Sequence, residues 1–299
     1  MDLTRDLRGY AGRPPAVRWP GDARVAVSVV VNLEEGAELS LADGDERNEG
    51  TYEVQDPLRD HPDLCARSHF DYGTRAAWWR VMDLLDRHGV PSTVSACGRA
   101  VARSPWIAAD AVRRGHEVSC HGWRWEPQYA MDEATERETI RRTAAAIEDA
   151  CGVRPVGWHT RSSGSPNTRR LLQEAGFAYD SDFYGDDLPV VVDAAGRPYV
   201  LLPYAFDTND MHFHQGHQRF ALARDFAEYV LDAFACLHRE GADAPRMMSV
   251  GLHLRMIGRP GRIAALETIL ERMRATGGVW FARRDAIARH WLAHAGPGS

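Results

Sequence analysis

Two adjacent carboxylates, Glu34 and Glu35, directly follow an apolar run at positions 23–33 and precede Gly36. Two carboxylates enclosed in one pocket repel each other, and burial penalises their charged forms, so the pKa of at least one rises. A raised carboxyl pKa suits general-base chemistry near neutral pH. The residue types alone also fit an ordinary solvated pair in a loop, so their meaning depends on what accompanies them.

Two histidines and an arginine occupy comparable positions. His121 ends one apolar segment, His253 ends another, and Arg161 follows a third. One histidine alone fits a structural role, because imidazole has many possible partners in a protein core. Ionisable residues at the ends of four segments together indicate one pocket, in which the two histidines suit proton transfer. Arg161 suits a carbonyl or carboxylate group, because its guanidinium presents a fork of donors.

Further side chains near these positions are candidates for substrate contact: Trp123, Trp125, Asp182, Asp210 and His214. Both tryptophans lie in the sequence HGWRW, which begins at the first histidine. The segment at 207–220 carries three histidines whose spacing resembles a metal-binding clip. Because this segment is polar and contains glycine, we favour a loop that contacts substrate, with metal binding as the alternative.

Apolar and amphipathic segments alternate along most of the chain, which predicts strand and helix in turn. We expect strands at 23–33, 91–98, 116–122, 154–160, 177–182, 197–204, 246–254 and 279–284. We expect helices at 74–89, 104–115, 132–152, 165–176, 224–241, 261–277 and 285–295. This order implies parallel strands joined by right-handed crossovers.

About seven such units suit a barrel, so the predicted fold class is α/β, a single distorted (β/α) barrel. We expect it to span 21–299, after an irregular N-terminal arm at 1–20. Residues 37–68 are acidic and aperiodic, which predicts a long loop. Functional residues of such barrels gather at the carboxyl ends of the strands, where the candidates above lie.

Composition limits the possible partners. The chain has 299 residues, a formal net charge of -6 and a pI of about 6.1, which suits neither nucleic acid nor an anionic membrane surface. Five widely spaced cysteines without a CxxC pair are typical of reduced thiols in a cytoplasmic protein. Because we find no apolar signal segment and no long uncharged apolar run, we expect a cytoplasmic protein with a small-molecule ligand.

The order of these motifs resembles the NodB homology domain of carbohydrate esterase family 4, the polysaccharide deacetylases. That family carries an Asp-Asp-Gly motif, two histidines with three residues between them, an Arg, and a late Leu-His. Here positions 34–36 read Glu-Glu-Gly, and His121 stands for the first histidine. Trp125 stands where the family has the second histidine, while Arg161 and His253 match the later motifs.

The resemblance implies a zinc site built from Asp, His and His, but this chain departs from it. With a tryptophan at 125 and a glutamate for the aspartate, Glu35 and His121 remain as ligands. Two ligands do not hold a catalytic metal tightly. The chain is therefore expected to work without a metal or other cofactor.

The chain is still more similar to one branch of this family, the cofactor-independent bacterial allantoinases. The segments HGWRW, SPNTRRLL, YDSD followed by DDLP, PYAFDTNDM and SVGLHLRMIGRPGR carry this resemblance, which runs from about residue 20 to the end. It implies a hydrolase that cleaves a non-peptide C–N bond in a small amide, cyclic imide or ureide such as allantoin. It also implies a homo-oligomer, namely a homotetramer.

In such a reaction Glu35, or Glu34 beside it, would act as general base on water. His253 and His121 would donate protons or hold the tetrahedral oxyanion. Arg161 would bind a carbonyl or carboxylate of the substrate.

Asp182 and Asp210 would orient an imidazole or ring N–H groups, and Trp125 would form a wall of the pocket. One alternative is a metal-dependent N-deacetylase or amidase that binds zinc through Glu35 and His121. The other is an inactive barrel that binds its ligand without turnover.

Overall fold

The computed structural model describes residues 6–50, 58–161, 163–193, 195–213 and 220–295. Its strands are β1 (Val25–Leu33), β2 (Ser92–Ala96), β3 (Glu117–Cys120), β4 (Gly157–Trp158), β5 (Tyr179–Phe183), β6 (Val190–Asp193), β7 (Pro198–Pro203), β8 (Arg246–His253) and β9 (Val279–Phe281). Its helices are α1 (Leu64–Tyr72), α2 (Trp78–Arg87), α3 (Gly98–Arg103), α4 (Pro105–Arg113), α5 (Glu133–Cys151), α6 (Thr168–Glu174), α7 (Ala223–Glu240), α8 (Leu254–Ile257), α9 (Ile263–Thr276) and α10 (Arg284–His294).

The strands form one curled sheet in the order β6-β7-β5-β4-β3-β2-β1-β8, and β9 pairs with β1. All pairs are parallel except the antiparallel pair of β6 and β7. The segment that follows β7 in the chain lies beside β8, where Asn209 forms a single parallel bridge with Gly251. The predicted distorted (β/α) barrel is confirmed, in the form of a half-barrel sheet.

Strand β1 is an interior strand of this sheet, paired with β2 on one side and β8 on the other, and every one of its residues is buried. Its near-continuous run of β-branched residues suits a strand covered on both faces. Because β2 and β8 pair with it in register, Leu33 lies beside Ala96 and Asn32 beside His253. The carboxyl ends of these neighbouring strands therefore meet at one edge of the sheet.

The largest departure from the predicted elements is the helix before β2. It begins at Leu64 rather than near residue 74, inside the predicted loop, because the Asp63 side chain accepts the N–H of Ala66 at 2.8 Å and caps the helix. A π-helical turn, Gly73–Ala77, joins α1 to α2. Helix α3 and strand β6 were also not predicted.

The described part of the N-terminal arm packs on the barrel. Trp19 is 1% exposed, and its indole N–H donates to the carbonyl of Arg246 at 2.8 Å. Its ring contacts Trp280 and Trp291, with centroids 5.7 and 5.5 Å away. No helix in the described ranges is long and apolar enough to cross a bilayer.

Candidate active site

A pocket of about 290 Å³ opens at the carboxyl ends of the strands, and we call it the site pocket. Most of its polar lining comes from the strand ends and the residues just after them: Asn32, Glu34, His121, His159, Arg161, Tyr184, Tyr204, His253 and Arg255; Glu49, His69 and Asn209 also line it. Four of the predicted residues, Glu34, His121, Arg161 and His253, therefore line one cavity. This is the arrangement expected of residues at the carboxyl ends of parallel strands.

Glu34 is the central carboxylate of the site pocket. Its Oε2 accepts a hydrogen bond from the guanidinium of Arg255 at 2.8 Å, and Arg255 is 3% exposed. Its Oε1 lies 3.4 Å from Nε2 of His121 and 3.8 Å from Nε2 of His253. Burial alone would raise the pKa of Glu34, but Arg255 and the two imidazoles hold it well below its usual value. Glu34 is therefore a fixed negative charge rather than an effective base.

His253 is oriented by a buried aspartate. Its Nδ1 lies 2.7 Å from Oδ1 of Asp210, whose Oδ2 accepts the backbone N–H groups of His253 and Ile257 at 2.8 and 3.1 Å. Because a carboxylate accepts, Nδ1 carries the proton and Nε2 faces the pocket. Burial lowers the pKa of His253, but the negative charges of Glu34 and Asp210 outweigh it and raise the pKa above 6.5.

Asp210 was predicted to contact substrate or orient an imidazole, and the structure places it behind His253. Its exposed fraction is 0%, so it contacts the imidazole instead of a ligand.

His121 is oriented in a similar way, because its Nδ1 donates to the carbonyl of His159 at 2.8 Å. The rings of these two histidines lie 4.8 Å apart, and that of His159 lies 4.4 Å from Tyr204. Burial lowers the pKa of His159 well below 6.5, so this imidazole is neutral. His121 consequently turns Nε2 towards Glu34.

Glu35 lies outside the site pocket. It lines a neighbouring cavity of about 330 Å³, which we call the acidic cavity and which Glu38, Asp43 and Asp63 also line. Burial raises the pKa of Glu35 to about 7, a shift that Arg255 partly offsets. The carboxylate that faces His121 is therefore Glu34, whereas the sequence had favoured Glu35 both as base and as a zinc ligand.

Trp125 lines the site pocket. The guanidinium groups of Arg161 and Arg255 lie 4.4 and 5.3 Å from its ring, and the Phe70 ring lies 5.7 Å away. Arg161 itself is exposed and lines the pocket mouth. These contacts place two positive charges and an aromatic surface at the site pocket.

Two predicted contact residues, Trp123 and Asp182, do not join this group. Trp123 packs against Gly98 and under the guanidinium of Arg142 at 4.6 Å, away from the pocket. Asp182 binds the backbone N–H and the hydroxyl of Thr160 at 2.8 and 2.5 Å, which ties the end of β5 to the segment after β4. His214 lies outside the described residues, as does His217.

Sequence reasoning missed Asn32, Tyr204 and Arg255. Asn32 Nδ2 donates to the carbonyl of Leu252 at 3.1 Å and to the Tyr204 hydroxyl at 3.2 Å, which Asn209 also reaches at 3.2 Å. Since Tyr204 accepts two N–H donors, its own proton remains for another acceptor, and none lies among the described residues. Asn32 and Tyr204 lie at the carboxyl ends of β1 and β7, so their positions at strand ends could have indicated them. Arg255 follows His253 by two residues, and no sequence motif marks it.

The zinc site implied by the resemblance does not fit these residues. A divalent cation on Glu34 would lie close to the buried guanidinium of Arg255, and like charges repel strongly away from water. Trp125 offers no ligand atom, because an indole N–H only donates. Within the described ranges, the three potential ligand groups whose ligand atoms all lie within 4.8 Å of one another are elsewhere, at His88, Glu267 and Glu271.

Comparisons with known proteins agree with this fold. A family model for polysaccharide deacetylase matches residues 59–179. The Schizosaccharomyces pombe protein named putative polysaccharide deacetylase is 37% identical over 317 residues, which cover 98% of both chains. Among crystal structures, a probable polysaccharide deacetylase from Pseudomonas aeruginosa PAO1 is 45% identical with a TM-score of 0.92, covering 97% of this chain and 98% of that one. Puue allantoinase is 43% identical with a TM-score of 0.92, covering 99% of both chains. The chain thus belongs to the polysaccharide deacetylase family.

Proposed function

We propose that this chain hydrolyses a non-peptide C–N bond in a small amide, cyclic imide or ureide, of which allantoin is an example, without a catalytic metal. The observation that carries the proposal is the buried Glu34–Arg255 ion pair facing the imidazoles of His121 and His253. A guanidinium supplies the positive charge next to a carboxylate that a metal would otherwise supply. The 43% identity with an allantoinase over nearly the whole chain supports the substrate class.

The size and lining of the site pocket favour a small planar ligand. Its volume of about 290 Å³ lies near the lower end of small-molecule sites. Tyr184 and Phe206 stack with centroids 4.0 Å apart at its edge, and Trp125 forms another wall. A ureide ring would present carbonyl groups to Arg161 and the Tyr204 hydroxyl, both of which donate.

In the proposed reaction, His253 removes a proton from water through Nε2, while Asp210 holds its Nδ1–H. The water oxygen bonds to the substrate carbonyl carbon, and the negative charge of Glu34 stabilises the imidazolium that forms. His253 then returns the proton to the leaving nitrogen as the C–N bond breaks, so that the products are a carboxylic acid and an amine, an amide or a urea for an amide, imide or ureide substrate respectively. This scheme gives the base role to His253 instead of Glu35.

The carbonyl oxygen becomes negatively charged in the tetrahedral intermediate and needs hydrogen-bond donors. The groups that can supply them are Arg161, the Tyr204 hydroxyl and, whenever its Nε2 carries a proton, His121, all in the lining of the site pocket. One such donor typically contributes about 2.7–4 kcal/mol to transition-state stabilisation.

A metal-dependent N-deacetylase is the second candidate, and the similarity to the S. pombe protein and its name favour it. Purified, metal-analysed protein should be tested with allantoin, hydantoin, succinimide and an N-acetylglucosamine oligomer, with and without chelator. We expect ring opening of a ureide or imide that chelator leaves unchanged and that His253→Ala abolishes. Deacetylation that requires zinc would overturn the proposal, and so would binding without turnover.

A further inference from the structure

Glu35 binds the backbone of two separate segments that form the site. Its Oε2 accepts the N–H of Glu34 at 3.2 Å, and its Oε1 accepts the N–H of Arg255 at 3.3 Å. The first N–H lies just after β1 and the second in α8, and Glu35 and Arg255 are 220 residues apart in the chain. One carboxylate therefore joins the two backbones whose side chains make the Glu34–Arg255 ion pair.

The position of Glu35 separates it from the reacting groups. It is 3% exposed and borders the acidic cavity rather than the site pocket. Its Oε1 also lies 3.6 Å from the guanidinium of Arg255. Glu35 can therefore influence the reaction through Arg255 and Glu34, without touching the substrate.

The neighbouring helix leaves room for this carboxylate at Gly73. A Cβ added at Gly73 would lie 2.5 Å from both Cγ and Cδ of Glu35, and its three nearest atoms all belong to that side chain. The φ of Gly73 is -56°, which any residue adopts, so the backbone does not require glycine here. Gly73 also starts the π-helical turn Gly73–Ala77, and such turns are frequent at functional sites.

We propose that Glu35 is a positioning residue, with Gly73 as its packing partner: together they hold the end of β1 against α8, so that Glu34 and Arg255 stay paired in front of His121 and His253. The kinetic consequence rests on the proposed hydrolysis, whereas the contact between Glu35 and Gly73 stands without it. A displacement of about 1 Å at a reacting group can slow turnover roughly 100-fold. Movement of Glu34 or Arg255 out of their paired positions would therefore lower kcat.

A double-mutant cycle in thermal stability tests the contact without using activity. Gly73→Ala in the wild-type chain should lower Tm by roughly 3–9 °C, because the new methyl group collides with Glu35. In the Glu35→Ala background the colliding atoms are gone, so Gly73→Ala should leave Tm unchanged or raise it, as alanine favours helix. Equal losses of Tm in both backgrounds would overturn the packing half of the proposal.

Kinetics with the active substrate test the positioning role. Glu35→Gln keeps the shape and one acceptor, so its kcat should fall less than that of Glu35→Ala, for which we expect a loss of about 10- to 100-fold with KM little changed. Glu38→Gln is the matched control, because Glu38 is also buried and lines the acidic cavity, and it should keep kcat.

The outcomes separate this proposal from the proposed function. If no ureide, imide or amide is hydrolysed but the stability cycle shows the coupling, the proposed function fails while the contact holds. If wild type hydrolyses such a substrate and Glu35→Ala keeps full kcat, the positioning role is refuted. An equal loss of kcat in Glu38→Gln would also refute it, because the effect would then not be specific to Glu35.

Discussion

Replacing Glu34 by glutamine tests the charge arrangement of the site through the pH dependence of the reaction. Nε2 of His253 lies 3.8 Å from Oε1 of Glu34. At an effective dielectric constant of about 20, a full negative charge at that distance stabilises the imidazolium by about 4 kcal/mol, or about 3 pKa units. Arg255, which pairs with the other oxygen of Glu34, cancels part of this attraction. We therefore expect the pKa of His253 to fall by about 1 to 2 units in Glu34→Gln.

The direction in which the pH profile should shift follows from the base role of His253. Base catalysis needs the neutral imidazole, so kcat/KM rises as the pH passes the pKa of His253 from below. The charges that act on it are Glu34 after β1, Asp210 before α7 and Arg255 on α8. Removing the negative charge of Glu34 lowers this pKa, and the acidic limb of the kcat/KM profile should move to lower pH by the same amount.

The assay is the pH profile of kcat/KM for wild type and Glu34→Gln, with Glu38→Gln as a control that should leave the limb in place. Where residual activity is too low, an NMR titration of the His253 ring reports the same pKa. An acidic limb that stays where it is, or moves to higher pH, would refute the reasoning that Glu34 acts as a fixed charge on His253.

Three further substitutions address other parts of the structure. Asp210→Asn should lower kcat by roughly 10³- to 10⁴-fold with little change in KM, because an amide no longer holds the Nδ1–H of His253; steady-state kinetics measures this, and a loss confined to KM would contradict it. Tyr204→Phe should lower kcat by about 10²- to 10³-fold if its hydroxyl donates to the oxyanion, and unchanged kcat would remove Tyr204 from that role. Asp63→Ala removes the cap of α1 and should cost about 1 kcal/mol, seen as a Tm lower by about 2–4 °C with kcat/KM unchanged; an unchanged Tm would show that the cap does not stabilise the helix.

The elements of this fold could largely be predicted because each has a local signal. The β-branched run before Glu34 specifies a strand buried on both faces, and β1 is entirely buried. The start of α1 at Leu64 escaped prediction, since the acidic, aperiodic residues around it hid the capping aspartate at Asp63. Strand β6 pairs antiparallel with β7 at the edge of the sheet. A repeated strand–helix pattern predicts only parallel strands, so it does not indicate β6.

The sequence by itself determined that Glu34, His121, Arg161 and His253 end four of the apolar segments, and parallel strands bring such ends to one edge. Which carboxylate faces the imidazoles was decided only by the tertiary structure. Once the chain leaves β1, its path turns Glu34 towards His121, while Gly73, on a different element, opens the space that Glu35 fills. The pairing of Glu34 with Arg255 joins residues 221 positions apart. Local sequence patterns do not predict such contacts, because the contacts depend on how strands and helices pack against one another.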